Sequence, residues 1–146
     1  MRCATLWLLL CLAGSSACND VRGFQGTWTG KRVGETPVLR VGVAQDATAT
    51  LVIEGLDTHG MRGTLSISGL VERAAISSVE GAEADVLSGI TFNGSPQRVY
   101  LAFASIPDGS GEALIVLALY DESRVELRVL RGGGQPLYAI FALAGT

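Results

Sequence analysis

Seven consecutive residues, Arg124-Val125-Glu126-Leu127-Arg128-Val129-Leu130, put Val125, Leu127 and Val129 on one side and Arg124, Glu126 and Arg128 on the other. Side chains of an extended chain point alternately to opposite faces, so a period of two marks a strand with one buried and one wetter face. The same period returns at short intervals along most of the chain, interrupted by Gly, Pro, Asn or Asp. No stretch between the interruptions holds a helical period for a useful length. Without crossover helices, neighbouring strands must run antiparallel, and the two architectures open to them are a barrel and a sandwich.

Taken in order, the pattern predicts about nine or ten strands. They are Phe24 to Val33, Val38 to Ala44, Thr48 to Glu54, Met61 to Ser68, a weaker Leu70 to Val79, Val86 to Phe92, Gln97 to Ile106, Ala113 to Tyr120, Arg124 to Leu130 and Leu137 to Leu143. Asn93-Gly94 is expected to close a hairpin, because both residues tolerate positive φ. Pro107-Asp108-Gly109-Ser110-Gly111 and Gly132-Gly133-Gly134 read as further turns. Ala113 to Tyr120 is apolar on both faces and is expected to be covered on both. In Gln97 to Ile106, Val99, Leu101 and Phe103 share one face and Tyr100, Ala102 and Ala104 the other. Burying a Phe or Leu stabilises by roughly 1.5–3 kcal/mol and an alanine methyl by much less, so the bulky face is expected inside. The fold class is therefore all-β, an antiparallel meander closing into a small barrel, with a β-sandwich as the alternative.

Composition agrees. Charged residues are 17% of the chain and there are 19 glycines, against norms of roughly 25% charged and about 7% Gly. Low charge with many Gly and β-branched residues favours strands and tight turns over disorder.

The first residues carry a different message. Met1-Arg2 is a short positive end, Leu6 to Ala13 a compact apolar run, and Gly14-Ser15-Ser16-Ala17 a small-residue stretch. That is the layout of a secretory signal peptide, over residues 1–17. The apolar run falls short of the roughly 18 residues a membrane span needs. Cys18 stands directly after the small residues. This arrangement resembles the lipobox of bacterial lipoproteins, imperfectly, since Ser15 occupies the position where that family usually carries leucine. The resemblance implies lipid on Cys18, with residues 18–22 a short tether and 23–146 one barrel domain. Cys3 and Cys11 would leave with the signal, so Cys18 would be a lone exported thiol without an intramolecular partner. Asn19 in the next position points to the outer membrane. Ordinary cleavage, which Ser15-x-Ala17 also suits, is the alternative and would give a soluble periplasmic or secreted protein. Cleavage before Cys18 removes Arg2 and leaves ten basic residues against fourteen acidic. Such mild acidity, without clustered Lys or Arg, disfavours nucleic acid as a partner.

Phe24-Gln25-Gly26-Thr27-Trp28 opens the domain, and Trp28 is the only tryptophan beyond the signal. The Gly26-Thr27-Trp28 strand resembles the opening of the lipocalin and wider calycin barrels, which often hold small apolar ligands. On that resemblance Trp28 is the floor of a barrel, Leu101, Phe103, Val116 and Leu127 are candidate wall residues, and Arg128 or Arg131 is the candidate to cover the indole. The chain ends on its last strand, without the outer helix of lipocalins.

Residues for catalysis are sparse. His59 is the only histidine and sits in a Gly-bounded turn with Asp57. Ser66 or Ser68 could complete a triad only if the geometry allowed it. Glu80, Glu83 and Asp85 form an acidic loop without the ligand spacing of a calcium site. The expectation is a non-catalytic envelope protein without cofactor or metal. It would bind a small apolar ligand or, alternatively, serve as a closed-core structural or protein-docking module.

Overall fold

The computed structural model describes residues 21–34, 43–57, 59–79, 90–107, 111–132 and 136–146. A 3-10 helix, Val21–Phe24, precedes eight strands: β1 Gly26–Val33, β2 Thr48–Leu56, β3 Met61–Ile67, β4 Val71–Ser77, β5 Arg98–Ile106, β6 Gly111–Asp121, β7 Arg124–Arg131 and β8 Leu137–Gly145. All ladders are antiparallel, in the order β4-β3-β2-β1-β8-β7-β6-β5. The outer two strands meet at a single bridge, Ser78 with Ala102, where the Val79 amide donates to the Leu101 carbonyl at 2.8 Å. Each strand thus lies beside its sequence neighbours and the first lies beside the last. The result is an up-and-down barrel, nearly closed, with its one weak seam between β4 and β5.

Turn chemistry sets the hairpins. Between β2 and β3 the Asp57 carboxylate accepts the amides of His59 and Gly60, both at 2.8 Å. Between β6 and β7 the Asp121 carboxylate accepts the Ser123 amide and hydroxyl. Short polar side chains that bond the backbone two residues ahead mimic a turn of main chain. Within the sheet, a β-carbon at Gly30 would collide with the Ala142 carbonyl, and one at Gly63 with that of Val52. Glycine at these two points lets neighbouring strands approach as a small, strongly coiled barrel requires.

The interior is filled by side chains from all eight strands, including Trp28, Leu51, Leu65, Ile76, Tyr100, Ile115, Leu127 and Phe141. Both ends are stoppered. At one end Val21 and Phe24 are buried, Phe24 stacks on Trp28 with ring centroids 5.9 Å apart, and the indole N–H donates to the Phe24 carbonyl at 2.8 Å. At the other, Val43 and Ala47 join the core from the β1–β2 connection, and Arg32 donates to the Val43 carbonyl.

Three expectations change. The strands expected at Val38 to Ala44 and Val86 to Phe92 fall largely outside the described residues, and the described parts, Val43–Ala44 and Ile90–Phe92, are not strand. Gly94 does adopt positive φ, +107°, yet Asn93-Gly94 bends a connection and joins no two strands. On β5 the faces are reversed: Tyr100, Ala102, Ala104 and Ile106 point into the core, while Phe103 is 48% exposed. The physical reason is that Tyr100 anchors the inward face, its hydroxyl donating at 2.6 Å to the Asp57 carbonyl at the barrel rim. The alanines beside it leave room for the large rings of β1 and β8. β6 is buried on both faces, as its composition implies.

Candidate functional site

The proposed ligand wall does not assemble. Trp28 and Leu127 lie in the core, but Leu101 and Val116 are cross-strand neighbours on the outside of the barrel, and Phe103 is on that outer side too. Alternation correctly grouped Leu101 with Phe103; it could not say which face of β5 turns inward. Arg128 also points outward, so it does not cover Trp28, against whose ring Gly145 packs instead. Cys18 and the acidic loop Glu80–Asp85 lie outside the described residues.

What those outward residues build is an apolar half-surface. One row runs Phe103, Leu114, Leu130, Tyr138 across β5 to β8 through paired positions. The next runs Leu101, Val116, Arg128, Ile140 and on to Val33 of β1, which is 41% exposed. Leu101 and Val116 are nonetheless almost fully buried. The described residues ahead of β5, 90–97, run beside this part of the sheet. The Thr91 carbonyl accepts Arg128 Nη2 at 2.8 Å, the Phe92 ring lies 4.8 Å from the Arg128 guanidinium, and the Gln97 amide donates to Leu119.

Beside those residues is a small polar cluster that sequence reasoning did not single out. Arg128 Nε donates to Glu126 at 2.6 Å, with the two side chains only 9% and 15% exposed. Arg124 stacks on the Tyr120 ring at 3.8 Å. Burial, then the charge of Glu126, pushes the Tyr120 hydroxyl above its ordinary pKa. The only available signal was the alternation itself, Arg124-x-Glu126-x-Arg128, which puts three charges on one face of one strand. A pair desolvated this far gives little net stability but costs several kcal/mol to break from one side. Its role is to hold the connection in register.

Two open hollows lie at the rims. One, of about 570 Å³, is lined by Gln25, Gly55, Leu56, Asp57, His59, Gly60, Met61, Arg62 and Ser78. The other, about 470 Å³, lies at the opposite end between the β3–β4 turn and Pro107. His59 and Asp57 are exposed, with Nδ1 4.0 Å from Oδ1. Ser66 and Ser68 stand at the far end of β3, where their hydroxyls accept the amides of Arg73 and Thr48. No Ser-His-Asp arrangement forms from these four residues. Asp57 is held below the ordinary carboxylate pKa by the His59 and Gly60 amides.

Compared with the known protein families, the curated proteins and the solved structures, the chain matches none.

Proposed function

We propose that this chain is an exported, non-catalytic protein of the cell envelope, held at the outer membrane by lipid on Cys18, whose calycin-like barrel serves as a protein-docking module. The observation that carries the docking reading is the outer face of β5 to β8, where Phe103, Leu114, Leu130 and Tyr138 form one continuous apolar row. An outward apolar row with Phe103 exposed and Leu114, Leu130 and Tyr138 half-buried favours a partner surface. The filled interior and the stopper at each end weigh against the alternative of a small apolar ligand carried inside. Lipidation adds the second element: a short tether keeps the barrel close to the membrane, so its partner is another envelope protein.

The test is in-cell photocrosslinking from position 103 or 130 in the full chain, with position 64 on the opposite side as control. A discrete adduct from 103 and from 130, with none from 64, is the expected result, the adduct from 103 being lost in Leu130→Glu. Saturable binding of a fatty-acid probe with quenching of Trp28 emission, and no such adduct, would replace docking with the carrier reading. Labelled fatty acid incorporated in the wild type and absent from Cys18→Ser tests the anchor separately.

A further inference from the structure

We propose that the hollow between the β2–β3 turn and the end of β4 is a binding site for a phosphate group, with Arg62 as its principal ligand. This stands apart from the docking reading, because it uses the other half of the barrel.

The argument begins at Gly55. β2 carries a bulge between Ile53 and Gly55, and Gly55 pairs with Arg62. A β-carbon at Gly55 would come within 2.7 Å of Arg62 Nε and 3.1 Å of its Cγ. With no side chain at Gly55, the Arg62 stem lies against β2 and its side chain lines the hollow. Among the described residues the Arg62 side chain makes no hydrogen bond and no ion pair. A planar fork of donors held over a hollow without an acceptor is suited to an oxyanion.

Asp57, the carboxylate among the lining residues, makes no ion pair with Arg62. Asp57 Oδ1 takes two backbone amides of its own turn, and the Tyr100 hydroxyl fixes the Asp57 carbonyl from inside the barrel. The remaining lining supplies further donors: the His59 ring, the Gln25 amide and Ser78. Ser78 Oγ already accepts the Met61 amide at 2.8 Å, which leaves its proton to give. Arginine, imidazole, amide and hydroxyl converge from several sides, which the three or four oxygens of a phosphate meet more fully than the two of a planar carboxylate. Buried Leu56 and Met61 form an apolar floor on which the first carbons of a phosphate ester could rest. The phosphate could belong to a soluble monoester or to a phospholipid headgroup.

His59 is the only histidine in the chain, so its ring resonances report on this site without ambiguity. The full chain is titrated with inorganic phosphate at fixed pH, ionic strength being held constant with chloride. In a second arm it is mixed with phosphatidylglycerol or with phosphatidylcholine vesicles and separated by flotation. The expected result is a saturable shift of the His59 resonances that becomes roughly tenfold weaker in Arg62→Gln, as loss of a charge-assisted contact implies. Arg62→Lys, which keeps the charge and loses the fork, should fall between them. Gly55→Val, which displaces the Arg62 stem without touching a donor, should weaken binding as Arg62→Gln does. Arg62-dependent response to phosphate alone identifies a soluble ester as the source; Arg62-dependent flotation with phosphatidylglycerol alone identifies a headgroup. A His59 shift that chloride reproduces, or one unchanged by Arg62→Gln and Gly55→Val in both arms, overturns the proposal.

Discussion

The two halves of this barrel share an interior and differ on the outside. Across β2 and β3 the outward residues are Thr50, Val52, Glu54, Arg62, Thr64 and Ser66, mostly polar and half-exposed or exposed. Across β5 to β8 they include Phe103, Leu114, Val116, Leu130, Tyr138 and Ile140, beside Arg128, a buried cation tied down by Glu126 and Thr91. Both halves satisfy the same demand for an apolar inner face. The difference therefore cannot arise from folding the lumen. On one side the strands end at water; on the other a connection covers part of the sheet and an apolar row remains beyond it. A strand can be buried on its outside face without facing the core, and exposure on that face reports what lies over it.

The largest effect expected is one that ignores the asymmetry. Trp28→Ala removes a ring buried against Phe24 and should cost about 3–5 kcal/mol, whereas Thr64→Ala on the polar outer face should stay within about 0.5 kcal/mol. Urea unfolding of both variants checks this. If Trp28→Ala unfolds with wild type, the shared core is not centred on that ring.

The comparison is sharpened by two outward arginines. Arg128→Ala leaves Glu126 and the Thr91 carbonyl short of a partner, and should cost about 3 kcal/mol. Arg62→Ala, exposed and without a side-chain partner among the described residues, should cost less than about 0.5 kcal/mol. A double-mutant cycle with Glu126→Gln should show coupling for Arg128 only. Equal losses at both arginines would mean that the two outer faces are alike.

Phe103→Ser should be close to neutral in stability, since nearly half of that ring is already in water, yet it should abolish the crosslinked partner. Loss of folding there would show that the row is held by this chain itself.

The smallest effect concerns the two aspartate turns, both at the end of the barrel that carries the 3-10 helix. Asp57 is held below 3.8 by the amides of His59 and Gly60, and Asp121 below 3.8 by the hydroxyl and amide of Ser123. A carboxylate whose pKa is lowered by folding contributes stability above its unfolded pKa and loses it as pH falls through the folded value. Protection of the Gly60 and Ser123 amides, relative to their intrinsic exchange rates, should therefore fall as the pH is taken below 3.8, while protection at the opposite rim, at Leu70, stays unchanged. Both carboxylates are fully exposed, so the global midpoint should move little.

Much of this architecture was legible in the chain because its determinants are local. A two-residue period makes a strand wherever it occurs, and Asp57-x-His59-Gly60 makes a turn through bonds spanning two or three residues. β6, apolar on both faces, declared its double burial. Trp28 declared itself through size and isolation. The polar outer face of β3 was equally plain, because Thr64 and Ser66 alternate with Leu65 and Ile67.

Only the tertiary structure decided which way the ambiguous strands face and what lies outside them. β5 offers apolar residues to both sides, so the pattern cannot assign an inside. The choice falls to a lumen already holding Trp28, Phe24 and Phe141, which admits Ala102 and Ala104 but leaves no need for Phe103. It falls equally to Tyr100, whose hydroxyl finds an acceptor 43 residues away at Asp57. Asn93-Gly94 has the chemistry of a hairpin, yet Thr91 and Phe92 beside it are engaged by Arg128 across 37 residues, so the bend serves a covering segment. Hydrophobicity fixes that a face is buried, and it is the volume of the closed interior, together with contacts between residues far apart in the chain, that determines whether it is buried inside the barrel or beneath its own connection.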